Sequence, residues 1–181
     1  MEYEKSVVLK NKEICIIRNA FSEEAKLVLE NFKKLNSQSD FLLSYPEEIN
    51  FSLNDEIKFI EDKNESPREV FLIACLDGKI VGSGSLSTFG NNYKISHRAN
   101  FGVAVDEEYF GMGIGTYLTK ALIECAKKAK YSQLELEVVS ENYGAISLYS
   151  KLGFLEYGRN ERGFKSKISG FQELLYMNLQ L

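Results

Sequence analysis

The Asp77-Gly78 pair is the feature that most constrains the fold of this sequence. It separates two stretches of strand-like composition, Val70 to Leu76 and Lys79 to Phe89. Asp-Gly between two such runs is the strongest short-range signal for a tight β-hairpin, because its turn needs residues that tolerate positive φ angles. We therefore expect two neighbouring antiparallel strands in the middle of the chain.

Helices and strands alternate on both sides of this hairpin, without repeats or low-complexity linkers. The other predicted strands are short apolar or alternating runs: Glu13 to Arg18, Asn100 to Val105, Leu134 to Val138, Phe154 to Tyr157 and Phe171 to Leu179. The predicted helices have apolar residues at intervals of three and four: Phe21 to Leu35, Leu53 to Ile60, a helix that begins near Gly113, and Tyr143 to Leu152.

Size and charge limit the classes of function. A chain of 181 residues with 44% hydrophobic residues is enough for one domain, which we expect to span residues 1–181. The net charge of -4 argues against the broad cationic surface that nucleic acid requires. No apolar run reaches the length of about 20 residues that spans a bilayer, and the first residues do not resemble a signal peptide. We expect a cytoplasmic protein without nucleic-acid or membrane partners, and the cysteine spacing predicts no metal site.

Three glycines lie within the segment Gly111 to Thr116, which opens the predicted central helix. Glycine lets a ligand approach the main chain, and the first N-H groups of a helix lack acceptors and carry the positive end of the helix dipole. The segment therefore predicts a phosphate site, with a tight turn as the alternative. It contains no Gly-Lys-Ser/Thr of a nucleotide P-loop, and Thr116 stands where a dinucleotide fingerprint needs its third glycine.

Gly102, Asn142 and Tyr149 are further candidates for ligand contact. Gly102 lies in a β-branched strand, where glycine indicates a bulge, a close approach of a ligand, or room for an aromatic such as Phe101. Asn142 begins the last helix, and Tyr149 follows seven residues later on the same face. The alternative interpretation is a helix cap for Asn142 and a core position for Tyr149.

In this order and spacing, these residues resemble the GNAT superfamily of N-acetyltransferases. The resemblance is clear from Val70 to Leu181 and extends to earlier residues by element order. Its two motifs are Phe110-Gly111-Met112-Gly113-Ile114-Gly115 after one strand, and Asn142 through Phe154 after the next. It implies a mixed α+β fold of order β-α-α-β-β-β-α-β-α-β-β, with a mostly antiparallel sheet of about seven strands and helices on both faces.

The resemblance also implies acetyl-CoA as co-substrate. The main chain of Val103 and Val105 would pair with the pantetheine arm, and Asn142 and Tyr149 would lie near the arm and thiol. The pyrophosphate would rest on the main chain of a six-residue loop: Gly111, Met112, Gly113, Ile114, Gly115 and Thr116. The usual Arg or Gln at the start of this loop is Phe110 here, and the frequent basic residue two places later is Met112. We therefore expect phosphate binding to depend mainly on main-chain N-H groups.

The implied reaction is direct transfer of an acetyl group to a primary amine of a small molecule, such as an amino acid or a polyamine, or of a peptide. Tyr149 is the candidate general acid. The base could be His97, the only histidine, or Glu48, which with Glu47 could attract a cationic amine; ordered water without a dedicated base is the third option. The acidic segment from Asp40 to Glu69 favours a cationic amine.

Two other classes of function stay open at this point. One is a non-catalytic acyl-CoA-binding sensor module, and the other is an unrelated enzyme with a phosphate-containing ligand. The acceptor amine is not determined, and a homodimer is an alternative to a monomer.

Overall fold

One mixed sheet of eight strands organises the protein in the computed structural model, which describes residues 1–181. The strands lie in the order β1-β2-β3-β4-β5-β6-β8-β7, and all neighbours are antiparallel except β5 and β6. The strands are β1 (Glu4–Val8), β2 (Ile14–Asn19), β3 (Val70–Leu76), β4 (Lys79–Thr88), β5 (Arg98–Val105), β6 (Gln133–Val139), β7 (Leu155–Ser166) and β8 (Gly170–Gln180). The helices are α1 (Ala25–Gln38), α2 (Leu53–Glu65), α3 (Ile114–Lys128) and α4 (Tyr143–Lys151). This arrangement confirms the predicted fold class.

Helices cover both faces of the sheet, as the continuous apolar run in β3 requires. On one face, Phe71 and Ile73 of β3 pack with residues of α1 and α2 such as Val28 and Ile60. On the other face, Leu72 of β3 belongs to the larger core with α3 and α4. None of the four helices combines the length and the hydrophobicity needed to cross a bilayer.

The predicted hairpin is present. Leu76 pairs with Lys79 across the turn, and Asp77 and Gly78 have φ angles of 48° and 76°. Both values are positive, as the two-residue turn that suits the twist of the strands requires.

One strand and one strand boundary differ from the prediction. The first strand, β1, was not predicted because it is an edge strand in which Val7 alone is buried, and Glu4 and Lys5 interrupt its pattern. Strand β7 continues to Ser166, well beyond the predicted end at Tyr157. The strand is mostly exposed and has two register irregularities against β8, so pairing rather than apolar alternation holds it in the sheet.

Candidate functional site

Strands β5 and β6 separate partway along their length. They pair at Arg98–Asn100 with Gln133–Glu135, whereas β5 continues along β4 and β6 continues along β8 to the ends of both strands. Residues 101–105 and 136–139 therefore border a gap within the sheet. The main-chain groups of β5 that point into this gap have no strand partner and can pair with an extended ligand.

Gly102, Val103 and Val105 line the β5 side of the gap. Val103 and Val105 pair with Gly84 and Gly82 of β4 on their other side, and their side chains pack against the core. Gly102 is exposed, and a Cβ at this position would meet no atom within 4 Å. It does not make room for Phe101, so the structure does not support the packing alternative for this glycine.

The predicted phosphate loop follows β5 and opens α3. Gly111 and Gly113 have φ angles of 77° and 99°, a left-handed conformation that strains residues with a Cβ. Gly113 is the N-cap of α3, which confirms the predicted start of this helix. Gly115 has a packing role, because a Cβ there would lie 3.2 Å from Cδ1 of Leu148 in α4. Helix α3 therefore lies close to α4.

The loop and the first turn of α3 present free hydrogen-bond donors. The main-chain N-H groups of Gly111 and of Gly113 to Thr116 donate to no acceptor within the protein. They lie at or beside the positive end of a 15-residue helix. Unpaired N-H groups and the helix dipole together fit an anionic group such as a pyrophosphate.

The turn between β1 and β2 lies against this loop. Lys10 N donates to the carbonyl oxygen of Met112 at 3.2 Å, and the Tyr117 hydroxyl donates to the carbonyl oxygen of Val8 at 3.0 Å. The turn therefore brings the cationic residues Lys10 and Lys12 to the border of a loop whose own side chains are uncharged. Sequence reasoning missed them because β1 was not predicted.

Helix α4 places Tyr149 behind the gap. Its ring packs edge-on against Phe101, with centroids 5.7 Å apart, and against Phe154 at 5.8 Å. Burial raises the pKa of Tyr149 to about 12, and its hydroxyl makes no hydrogen bond within the protein. Asn142 caps α4, since its Oδ1 accepts a hydrogen bond from Ala145 N at 3.2 Å. The structure thus brings Tyr149 together with β5, and it also shows the cap that was the alternative for Asn142.

An uncovered face of the sheet lies on the side of α1 and α2, beyond the strands on which these helices pack. We call it the open face; it comprises the outward residues of β5, β6, β8 and β7 that alternate with core residues. Glu135 lies at its centre, where its carboxylate accepts hydrogen bonds from Arg98, Gln133 and the Tyr157 hydroxyl. Glu137 is the next outward residue of β6, beside the gap.

Glu137 is the residue that sequence reasoning missed on this face. It is exposed and takes part in no ion pair or side-chain hydrogen bond within the protein. Its cross-strand partner in β8 is Tyr176, whose ring centroid lies 6.1 Å from that of Tyr157. The alternation of Glu135 and Glu137 with leucines predicted a wetter face of β6, and this was the available signal.

The loop between α1 and α2, residues 39–52, closes one end of the open face. At its start, Gln38 Nε2 donates to Asp106 Oδ1 at 2.9 Å, just after β5. Two residues later, the Asp40 carboxylate accepts hydrogen bonds from Ser166 at the end of β7 and from the Tyr45 hydroxyl at 3.1 Å. The loop thus crosses from β5 to the β7–β8 turn at the end where β5 and β6 are separated.

Glu47 and Glu48 lie in this loop, and both carboxylates have partners. Glu48 Oε2 accepts a hydrogen bond from Tyr45 N at 2.9 Å, and Glu47 forms an ion pair with Lys167 in the β7–β8 turn. This pairing holds the pKa of Glu47 below its ordinary value. The structure places both residues at the border of the open face.

His97 is not brought together with Tyr149. It precedes β5, and its exposed side chain lines a surface pocket with Arg68 and Lys130. Phe101 lies four positions further along the chain, a distance of about 13 Å between Cα atoms at the usual rise per residue of a strand.

Comparisons with known proteins agree with this geometry. Residues 36–154, well over half of the chain, match the sequence profile of the acetyltransferase (GNAT) family. The L-amino acid N-acetyltransferase AaaT of Escherichia coli is 34% identical over 84 residues, which are 46% of this chain and 51% of that protein. The chain therefore spans about half the length of this relative.

Two further relatives are similar over more of their length. The [ribosomal protein bS18]-alanine N-acetyltransferase of Escherichia coli is 30% identical over 59% of this chain and 72% of that protein. An acetyltransferase of the GNAT family from Streptococcus pneumoniae has a TM-score of 0.88 at 24% identity, covering 92% of this chain and 99% of that structure. The profile match, the relatives and the shared fold confirm the predicted resemblance, and the chain belongs to the acetyltransferase (GNAT) family.

Proposed function

We propose that the protein transfers an acetyl group from acetyl-CoA to a primary amine while both substrates are bound. The observation that carries this proposal is the position of the free N-H groups at the start of α3 directly beside the gap between β5 and β6. An anion site next to unpaired strand backbone suits a ligand with a pyrophosphate and an extended amide-containing arm. Coenzyme A has both parts.

The binding roles follow from this arrangement. The main chain from Gly111 to Thr116 holds the pyrophosphate, and Lys10 adds positive charge at its border. Val103 and Val105 pair with the pantetheine arm through the main-chain groups that face the gap. Asn142 contributes its side-chain NH₂, because its oxygen already caps α4.

The reaction needs a neutral amine and stabilisation of the leaving thiolate, which takes its proton from solvent after release. Acetyl-CoA supplies a thioester, whose carbonyl carbon forms a bond to the amine nitrogen as the bond to sulfur breaks. Free N-H groups of β5 polarise the thioester oxygen. Tyr149 donates a hydrogen bond to the sulfur; because its pKa is about 12, above that of an ordinary thiol, it orients and stabilises the thiolate more than it protonates it.

We propose Glu137 as the residue that takes the proton from the amine, directly or through one water. Its carboxylate is the free one on the open face beside the gap, whereas Glu48 has a main-chain partner and His97 lies away from Tyr149. His97 and Glu48 stay predictions for this role. Glu137→Gln should lower kcat/KM about 100-fold, the scale of general base catalysis. If His97→Gln or Glu48→Gln changes the acid limb of the pH profile and Glu137→Gln does not, the assignment is wrong.

Binding and turnover are tested separately. Acetyl-CoA at 100 times its Kd should stabilise the native protein by about 2.7 kcal/mol, which a thermal shift detects. Release of free thiol should then be screened with amino acids, amino acid amides, polyamines and peptides, and the product identified by mass spectrometry. Binding without thiol release from any amine would favour the acyl-CoA sensor, and absence of binding would refute both functions.

A further inference from the structure

The charges of the open face restrict which amines can act as acceptor. This inference rests on the proposed function and concerns the chemistry next to the reacting nitrogen. A substrate carboxylate would need a cation, and hydrogen bonds place three beside the face: Lys63 at Ser87, Arg98 at Glu135 and Lys167 at Glu47.

Each of these three cations already has a carboxylate partner. Lys63 Nζ lies 2.8 Å from Glu69 Oε2, and Lys167 pairs with Glu47. Arg98 binds Glu135 through two parallel hydrogen bonds, of which Nη2 to Oε2 measures 2.7 Å, and its guanidinium also stacks on Phe89 at 3.9 Å from the ring centroid. A two-point Arg-carboxylate pair uses the donors that recognise carboxylates best.

The free charge on the face is negative. Glu137 has no cationic partner; its cross-strand partner in β8 is the neutral Tyr176, and Glu135, two residues earlier, is paired with Arg98. Arg159 and Arg162 of β7 line a surface pocket with Tyr176, but Arg159 pairs with Glu156, and the Arg162 guanidinium lies 3.9 Å from the ring centroid of Phe171. The face therefore attracts an ammonium group and repels a carboxylate placed on the carbon next to it.

We infer that the acceptor is a primary amine whose neighbouring carbon carries no free carboxylate, as in a peptide amino terminus or a polyamine. A free α-amino acid would place its carboxylate near Glu137 without a cation to bind it. In a peptide the same position is a neutral amide, and in a polyamine it is a methylene, so neither meets this repulsion.

L-Alanine and L-alaninamide test the inference, because they differ in the carboxylate alone. Initial rates are compared at equal concentrations of unprotonated amine, since the two amines differ in basicity. We expect kcat/KM for alaninamide to exceed that for alanine about 100-fold. The rates with a tripeptide that begins with alanine and with putrescine then show whether the acceptor is a peptide amino terminus or a polyamine.

Equal rates for the pair, or a preference for alanine, would overturn the inference and leave the acetyltransferase activity intact. Absence of thiol release from every amine would overturn the proposed function, and this inference with it.

Glu135→Gln provides a second test by releasing the Arg98 guanidinium. In this variant the ratio of kcat/KM for alaninamide to kcat/KM for alanine should fall about tenfold, because Arg98 becomes free to bind the carboxylate of alanine. Glu156→Gln is the control: it removes a similar two-point pair from Arg159 on the other face of the sheet, where Arg159 keeps Glu173 as a second partner at 3.2 Å. The ratio should stay at the wild-type value in the control. An unchanged ratio in Glu135→Gln, in a variant that melts cooperatively, would overturn the charge argument.

Discussion

Gly111 can be tested against a matched glycine elsewhere in the chain. Gly111 and Gly78 have φ angles of 77° and 76°, and a Cβ at either position would meet no atom within 4 Å. Alanine at both positions therefore has the same left-handed strain and no steric clash. Each substitution should cost about 1–2 kcal/mol of stability. For a domain of this size, this lowers the melting temperature by about 2–8 °C.

The two variants should differ in coenzyme A binding. Relief of strain at Gly111 turns the N-H groups at the start of α3 away from the pyrophosphate, whereas Gly78 lies in the β3–β4 turn. Loss of one charge-assisted hydrogen bond costs about 1.5–3 kcal/mol, or roughly 10- to 100-fold in Kd. Isothermal titration calorimetry with coenzyme A should show this loss in Gly111→Ala, and wild-type affinity in Gly78→Ala.

Two results would refute the reasoning. One is wild-type affinity in Gly111→Ala despite its lower melting temperature, which would mean that the loop conformation does not set the binding. The other is an equal loss of affinity in Gly78→Ala, which would mean that lower stability alone weakens binding.

Three other variants test the remaining parts of the site. Tyr149→Phe should lower kcat about tenfold, at the low end of the effects of acid-base catalysis, with little change in KM for acetyl-CoA. In the wild type, the pKa of Tyr149 is about 12, so ionisation of this phenol should not reduce turnover below about pH 10. Lys10→Ala should raise KM for acetyl-CoA about two- to fivefold, the scale of an exposed charge contact, and the difference should shrink in high salt. Arg98 holds the pKa of Glu135 below its ordinary value, so this carboxylate stabilises the fold above about pH 4 and loses that effect as pH falls through its folded pKa. Urea unfolding between pH 7 and pH 3 should therefore show a smaller loss of stability in Glu135→Gln than in the wild type, and equal losses would contradict this.

The sequence predicted the central elements of the fold because their signals are local. The Asp77-Gly78 turn and the start of α3 at Gly113 depend on positive φ angles, which few residue types adopt. Strand β1 and the extension of β7 to Ser166 depend instead on pairing with the strands that follow them, β2 and β8, and most residues of β1 and β7 are exposed. No periodic signal could have located them.

The parts of the candidate site that lie within one loop or one helix could be predicted from the sequence. The positions of the glycine loop and Tyr149 follow from spacing along one helix or one loop. The open face depends on which outward residues of four strands share a surface, and on the pairing of each charge. Glu135 and Glu137 occupy equivalent places in the alternating pattern of β6. Arg98, 37 residues from Glu135 in sequence, pairs with Glu135 and leaves Glu137 unpaired.

The separation of β5 from β6 also affects how the protein behaves without its co-substrate. It leaves two unpaired strand edges inside the sheet, and such edges are templates for pairing with other chains. An extended ligand in the gap would act as an additional strand and shield both edges. Amide hydrogens of residues 101–105 that face the gap should then exchange rapidly with solvent in the free protein and slowly in the complex. Co-substrate concentration would in this way influence the association of the protein with itself as well as its catalysis.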